Sequence, residues 1–421
     1  MSVTRTRAVF EKAMRSFGFP NGDKIAVAVS GGADSSAVCL LAREFIEKFG
    51  GEMIALIVDH GLRPASREQA LITVERLSRR GIDCRLLTWT GEKPATGVEK
   101  AAREARYRLL SDACRATGAK ALLLGHHKQD QAETFLMRRA RGSGTVGLAG
   151  MSAVRAAVFG RILRPVLGLY PADLREYDRE AGLDWVEDET NLSDCFERGR
   201  LRQTLTAVEI DDAFNQTLFF GEKRRALEER ANAFVGESVE ESDFGYLLFD
   251  RASFNALERE TALYLLGAFL RRVANRAYPP RSESLVGLYE NLRERNFAGS
   301  TLGGCRLAPT TKNRMIVWRE EGDLPPPVTV TGVSRFSWDG FSFEFECPLD
   351  FPVTVAPLGR RLKIGKVFAK RAFSVLPAIF DNQGLFIVPH LGYKRTKTTC
   401  QVVRSSENAL RATVPWTRPV M

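Results

Sequence analysis

No two of the seven cysteines, at positions 39, 84, 114, 195, 305, 347 and 400, form a C-x-x-C pair, and their number is odd. That scatter argues against a disulfide framework, a structural zinc and an iron–sulfur cluster. Long apolar runs are missing as well. The longest, Ala262 to Leu270, falls far short of the roughly 20 residues of a membrane span. Glu11, Lys12 and Arg15 interrupt the first apolar stretch, so no secretion signal is read there. The expectation is a cytoplasmic globular protein with no membrane partner and no segment that marks an obligate protein partner. Its 421 residues at 44% hydrophobic content suffice for about three domains. The chain also lacks the phosphate-binding pattern G-x-x-x-x-G-K-[ST]: its nearest match, Gly359 to Lys366, has five residues between the glycines and Val367 where a hydroxyl is needed. Cradling the β- and γ-phosphates for γ-transfer in the usual way is thereby excluded.

Positive charge is present but confined. The net charge is +10, and from residue 351 onward twelve Lys and Arg face only Asp381 and Glu407, so the first 350 residues balance. A neutral body with one basic segment has the charge distribution of a nucleic-acid surface, because cations on phosphate release counterions. A solvated basic face or an acidic partner gives the same composition, and charge alone leaves these open. On the nucleic-acid reading, Arg360, Arg361, Lys363, Lys366, Lys370 and Arg371 are candidate contacts.

Residues 24 to 141 alternate apolar runs with helical periodicity. Strands are expected near 25–29, 53–58, 84–89 and 121–125, and helices near 34–49, 66–80, 99–117 and 129–140. This alternation predicts an α/β fold with a parallel sheet covered on both faces. Ligands bind beyond the carboxyl ends of such strands. Three segments fall there, Ser30–Ser36, Asp59–Arg63 and His126–Asp130, and they hold three of the four histidines. Residues 199 to 300 are rich in Arg and Glu with helical spacing, and Asp323-Leu-Pro-Pro-Pro327 reads as a linker. Beyond it, Asp339-Gly340 predicts a two-residue hairpin pairing Trp338 with Phe341 and Phe336 with Phe343. These aromatics read as a small β core rather than a base-stacking platform. The expected division is a catalytic domain at 1–200, a mainly helical connecting domain at 201–322 and a basic, β-containing domain at 328–421.

Ser30-Gly-Gly-Ala-Asp-Ser-Ser36 lies between the first strand and the first following helix. Backbone N–H groups in such a turn, with a helix N-terminus behind them, attract phosphate. Ser30, Gly31, Gly32, Ala33, Asp34 and Ser35 are therefore candidate ATP contacts, with Asp59 and His60 at the next strand end. The loop resembles the pyrophosphate loop of the N-type ATP pyrophosphatases, which cleave ATP between the α- and β-phosphates and adenylate a substrate oxygen. After the fourth strand, Gly125-His-His-Lys-Gln-Asp-Gln-Ala-Glu-Thr134 brings two imidazoles, Asp130 and Glu133 to the same sheet edge. Alone these residues would read as a polar helix start. Beside an ATP loop they suit Mg²⁺, which stabilises a departing pyrophosphate, and proton acceptance from an amine.

These and further motifs together resemble one family, the tRNA(Ile)-lysidine synthetases. The likeness runs in order through Ser30–Ser35, Val58-Asp-His-Gly-Leu-Arg63, Glu99-Lys-Ala-Ala-Arg-Glu-Ala-Arg-Tyr107, His126–Thr134, Arg141-Gly-x-Gly-x-x-Gly-Leu-x-Gly-Met151, Arg164-Pro165 and Asp188-x-Thr-Asn191. It is weaker in the C-terminal third, limited to the basic segment and Leu385-Phe-Ile-Val-Pro389. The resemblance implies a Rossmann-like ATP pyrophosphatase domain and a ligase that converts the wobble cytidine of an isoleucine tRNA with a CAU anticodon to lysidine. ATP adenylates O2 of the cytosine, expelling pyrophosphate; the ε-amine of free L-lysine then attacks C2 and displaces AMP.

Carried onto this chain, the resemblance makes Asp34, His127, Asp130 and Glu133 the catalytic candidates, with Asp34 and Asp130 as Mg²⁺ ligands. Lysine, with a side-chain pKa near 10.4, needs a proton acceptor; Asp130 and His127 both remain open for it. Two departures stand out. The family commonly has two consecutive acids after His-His-x, whereas here the first is Gln129; and an Arg-Asn pair is usual where this chain has Arg198-Gly199. Arg198 and Arg202 read either as RNA contacts or as helix surface. The alternatives are another tRNA-modifying enzyme of the same superfamily, such as a thiolase, and a non-catalytic RNA-binding relative. A thiolase would call for cysteines near the site, and those present are isolated.

Overall fold

A computed structural model of the chain describes residues 3–19, 23–62, 64–91, 93–186, 197–310, 313–359, 361, 370–396, 398–404 and 416–421. They belong to two compact units, Met1–Ala226 with Val414–Met421, and Leu227–Thr413.

The first unit opens with α1 (Val3–Ser16), β1 (Lys24–Val29), α2 (Ala33–Phe49), β2 (Glu52–Asp59), α3 (Pro64–Ser78), β3 (Cys84–Thr88), α4 (Val98–Thr117), β4 (Ala121–Leu123) and α5 (Lys128–Ala140). This is the predicted alternation, each element ending within a few residues of its expected bounds. Strand β1, Lys-Ile-Ala-Val-Ala-Val, lacks polar alternation because both of its faces are covered. Ile25, Val27 and Val29 join Val38 and Leu41 of α2 in one core, while Ala26 joins Leu110 and Ala113 of α4 in another. Next come α6 (Thr145–Leu148), β5 (Val154–Ala157), β6 (Gly160–Leu163), α7 (Pro171–Glu180), α8 (Glu197–Thr204) and α9 (Ala207–Ser238), within which the unit boundary falls. The two four-residue strands, absent from the sequence expectation, extend the sheet to the order β3-β2-β1-β4-β6-β5. Only β5 is antiparallel. Interspersed Arg155 and Arg161 hide their apolar period.

Strand β1 pairs with β2 on one side and β4 on the other. The order of connection therefore reverses between β1 and β4, and the crevice beyond their carboxyl ends is the ligand position of an open α/β sheet. Residues 416–421 pack in this same unit. Trp416 is 2% exposed, its Nε1 donates to the Ala149 carbonyl at 3.1 Å, and a Cβ on Gly221 of α9 would lie 2.2 Å from its ring. Thr417 continues the contact, accepting from Ala153 N–H at 3.0 Å and donating to Ser152 Oγ at 2.9 Å.

The second unit contains β7 (Val239–Glu241), β8 (Leu247–Asp250), α10 (Arg251–Asn255), α11 (Arg259–Val273), α12 (Ser282–Arg293), β9 (Ser300–Leu302), β10 (Cys305–Pro309) and β11 (Arg314–Arg319). The stretch expected to be mainly helical thus also supplies an antiparallel sheet, β7-β8-β11-β10-β9. It continues through β12 (Val328–Val330), β13 (Arg335–Trp338), β14 (Phe341–Phe345), β15 (Val353–Pro357), α13 (Lys370–Phe373), β16 (Pro377–Asp381), β17 (Gly384–Val388), β18 (Tyr393–Lys394) and β19 (Cys400–Arg404). Strands β13 and β14 form the predicted hairpin, with Trp338 opposite Phe341 and Phe336 opposite Phe343. Its turn residues have φ of 45° at Asp339 and 79° at Gly340, the left-handed pair that a two-residue hairpin requires. Trp338, Phe341, Phe343 and Phe345 are core residues, as expected.

Candidate active site

The loop after β1 turns back through its own hydroxyls. Ser35 Oγ donates to the Gly32 carbonyl at 3.0 Å and accepts from Ser30 N–H at 3.1 Å, while Ser36 Oγ donates to the same carbonyl at 3.0 Å. Gly31 has φ +90°, and a Cβ there would meet Thr73 Oγ1 at 2.5 Å, so both backbone shape and space require glycine. Gly32 caps α2 without a side-chain hydrogen bond, leaving the first amides of the helix open to an anion. The loop after β4 presses against this turn: a Cβ on Gly125 would stand 3.0 Å from Ser35 Cα and from the Asp34 carbonyl.

That approach brings His127 to Asp34. His127 Nε2 lies 3.5 Å from Asp34 Oδ2 and 3.5 Å from Asp130 Oδ2. A capping box fixes the ring: Asp130 N–H donates to His127 Nδ1 at 3.3 Å, and His127 N–H donates to Asp130 Oδ2 at 3.0 Å. Burial works against the imidazolium, but the Asp130 and Asp34 carboxylates outweigh it and raise the His127 pKa. Asp34 Oδ1 is buried and has no hydrogen-bond partner among the described residues.

Asp130 and Glu133, one turn apart on α5, meet Arg198 and Arg202, one turn apart on α8. Arg198 Nη2 is 3.1 Å and Arg202 Nη2 2.9 Å from Asp130 Oδ1; Arg198 Nε is 2.7 Å from Glu133 Oε2 and Arg202 Nε 3.1 Å from Oε1. Glu133 is fully buried. Burial would raise the Asp130 pKa, yet the surrounding histidines and arginines hold it well below the usual carboxylate range. Gln129 Nε2 donates to the Arg202 carbonyl at 3.1 Å.

The remaining candidates separate from this cluster. Asp59 is buried and serves its own loop, accepting from Gly61 N–H at 2.9 Å and Ser66 Oγ at 3.0 Å. His60 is half-buried with Nδ1 unpartnered among the described residues; burial and then Arg106 lower its pKa. In the basic segment Arg361 is exposed, donating to the Pro357 carbonyl at 3.2 Å with its guanidinium over Phe380. Arg360, Lys363 and Lys366 lie outside the described residues, as do the side chains of Lys370 and Arg371 at the start of α13. Not all of the C-terminal charge is a solvated face: Arg404 is 11% exposed at its side chain and donates to the Arg272 carbonyl at 2.8 Å, and Arg395 pairs with Asp381.

The burial and contacts of three residues escape the sequence reading, although Gln131 and Arg164 stand within motifs named there. Gln131, fully buried, binds Met151 through both amide atoms at 2.7 Å and so ties the glycine-rich segment to α5. Asp178 of α7 is fully buried with both oxygens unpartnered among the described residues, and burial, then Asp34, push its pKa up to about 8. Arg164 is 6% exposed. None carries a spacing signal, because burial of a single polar side chain leaves no periodic trace.

Residues 4–209 match the family described as a PP-loop domain. A tRNA(Ile)-lysidine synthase of Wolbachia sp. subsp. Brugia malayi is 30% identical, with 92% of this chain and 93% of the relative covered. The chain belongs to the tRNA(Ile)-lysidine synthase family. A second family member, from Mesorhizobium japonicum, is 34% identical over 85% of this chain and 83% of its own. Among solved structures, a U34-tRNA thiolase NcsA from Methanococcus maripaludis with its [4Fe-4S] cluster has 15% identity and a TM-score of 0.47 over 52% of this chain and 78% of that one, too loose a likeness to bear on activity. This family member is a PP-loop enzyme that uses ATP. Among the described residues no helix is long and apolar enough to cross a membrane, and no group of three His, Cys, Asp or Glu is placed to share a metal ion.

Proposed function

We propose that this chain ligates free L-lysine to the wobble cytidine of the isoleucine tRNA that carries a CAU anticodon. The observation that carries the reading is the meeting of the phosphate loop with the His127–Asp130 pair in one crevice, 3.5 Å from Asp34 to His127. In the first step O2 of the cytosine attacks the α-phosphate of ATP and pyrophosphate leaves. The open amides at the start of α2 bind phosphate oxygens, in a turn that Ser35 and Ser36 hold by donating to the Gly32 carbonyl. Mg²⁺, when bound, neutralises charge on the departing pyrophosphate. The unpartnered Asp34 Oδ1 suits it as the metal ligand, whereas both oxygens of Asp130 are already engaged.

In the second step the ε-amine of lysine attacks C2, its proton leaves, and AMP is expelled. His127 is the favoured acceptor. On taking a proton at Nδ1 it gives up the 3.3 Å cap bond, and the carboxylates of Asp130 and Asp34, already 3.5 Å from Nε2, stabilise the cation and raise its pKa. Asp130, held in its charged form, orients that ring and stabilises its cation. Glu133 holds Arg198 and Arg202 in place rather than reaching substrate, and the exposed portions of the two guanidinium groups are left to meet RNA phosphate. The basic residues of 351–421 are assigned to tRNA on their charge. The reading needs no protein partner and fits the cytoplasm, where tRNA and free lysine are found together.

A thiolase reading has less support. Burial pushes the thiol of Cys39, the cysteine of α2, upward, away from a reactive thiolate. Mass spectrometry of isoleucine tRNA after incubation with ATP, lysine and the protein tests the proposal. A gain equal to lysine minus water at the anticodon is expected, and an unchanged nucleoside would overturn it.

A further inference from the structure

Four arginines meet around one tyrosine in the first unit, and among the described residues no carboxylate accompanies them. Arg103 and Arg106 of α4 and Arg155 of β5 place their guanidinium carbons 5.1, 5.7 and 5.4 Å from the ring centre of Tyr107. Arg164, just beyond β6, lies at the floor of this group. It is 6% exposed, donates through Nη1 to the Ser152 carbonyl at 2.7 Å, and keeps a buried Nε without a partner among the described residues. Among the described residues, none of the four guanidinium groups has a carboxylate within ion-pair distance. Arg103 and Arg155 are exposed, Arg106 half-buried and Arg164 buried, so the charge runs from the surface inward.

Bringing four like charges together with one of them desolvated is unfavourable unless an anion completes the site. Burial and the neighbouring arginines hold the Arg164 pKa down to about 10, and the arginines overcome burial to lower that of Tyr107. The group adjoins the chemistry described above. Arg164 and Arg106 are among the charges that, after burial, hold His126 down to about 3, and His126 precedes His127 in the loop after β4.

We propose that Arg103, Arg106, Arg155 and Arg164 form an anchor for backbone phosphates of single-stranded RNA, gripping the nucleotides beside the base that enters the crevice. The inference rests on the tRNA substrate of the proposed function. The phosphates of ATP are taken by the open amides at the start of α2, and chemistry favours phosphodiester over the carboxylate of lysine. Free lysine brings two ammonium groups with its one carboxylate, which four guanidinium groups and no acid would repel. Successive phosphates carry only negative charge and match a line of arginines from surface to interior. A base reached outside its stack needs its flanking backbone held in this way.

The test uses the full chain with Arg103→Gln and Arg155→Gln together, both exposed and remote from the core. Binding of an unmodified tRNA(Ile) transcript is measured without ATP or lysine over a KCl series, and the KM for lysine is measured separately. The expected result is tRNA binding at least about tenfold weaker and a slope of log K against log salt smaller by about 1.4 to 1.8, at 0.7 to 0.9 per phosphate contact, with the KM for lysine unchanged. Unchanged tRNA affinity and slope would overturn the anchor, and a raised KM for lysine alone would make the site an amino-acid carboxylate pocket. Arg164→Lys, which keeps the charge but not the planar fork, should weaken tRNA binding while the circular dichroism spectrum stays that of the wild type. Because these binding measurements involve no turnover, wild-type protein that bound tRNA with the full slope yet made no lysidine would defeat the proposed function and leave the anchor standing.

Discussion

Asp34 stands at the start of α2 with one oxygen toward His127 and the other buried without a partner among the described residues. Removing its charge should therefore act on phosphate chemistry and spare the RNA. Asp34→Asn is expected to slow tRNA-dependent pyrophosphate release about a hundredfold or more, equivalent to about 2.7 kcal/mol of barrier, with tRNA affinity in filter binding essentially unchanged. Parallel loss of both would show that the residue serves the fold. Asp178 has the opposite character, a carboxyl kept protonated by its surroundings. With a folded pKa of about 8 against about 3.9 when unfolded, the folded state holds the proton across that window while the unfolded state has released it. Stability is therefore lost as pH rises from about 4 through 8. Asp178→Asn should remove this slope, leaving the melting temperature little changed at or below about pH 4 and raising it by several degrees at about pH 9. Thermal melts at the two pH values check it, and an equal shift at both would contradict the assignment.

At the scale of elements, the site depends on α5 and α8 being held face to face. Two carboxylates spaced i, i+3 meet two guanidinium groups spaced i, i+4, and Gln129 adds a hydrogen bond to the Arg202 carbonyl. The amide donor at position 129 ties this carbonyl directly. Gln129→Ala should lower the single-turnover rate less than tenfold, under about 1.4 kcal/mol, whereas Gln129→Glu should cost more because a carboxylate facing that carbonyl has no proton to donate. Equal rates for the two variants would remove the hydrogen bond from the account. The sheet, its four leading strands and the two loops at the switch point were legible because β1, β2 and β4 are largely buried and these strands, with β3 at the edge, are separated by helices of clear period. The Asp339-Gly340 hairpin was legible from its turn residues. Strands β5 to β11 were not, since they are short and β5, β6, β10 and β11 carry arginines. The partners of Arg198 and Arg202 were equally hidden: the charges are visible in sequence, but which carboxylates they meet depends on how α8 packs, and packing has no local signature.

For the whole molecule, the decisive contact is the placement of residues 416–421 in the unit that begins at the other end of the sequence. Trp416 fills the space left by the missing side chain of Gly221 and joins Ala149, Phe214 and Leu218 in a small cluster. Trp416→Ala should destabilise this unit by about 3–5 kcal/mol, the usual cost of emptying a large aromatic site. Denaturant unfolding followed by the loss of ATP binding measures it, and a cost below about 1 kcal/mol would mean that the cavity collapses around smaller neighbours. A truncation meant to remove the basic segment also removes this tryptophan, so a cut at residue 350 cannot separate tRNA affinity from the integrity of the ATP site. During synthesis the same arrangement imposes an order of events. The hollow beside Gly221 leaves the ribosome well before the ring that fills it, and at about 5–20 residues per second the interval lasts on the order of ten to forty seconds. Over that time the second unit can fold on its own core while the first waits. A chain released between residues 221 and 416 carries the hollow beside Gly221 open, without the ring that fills it.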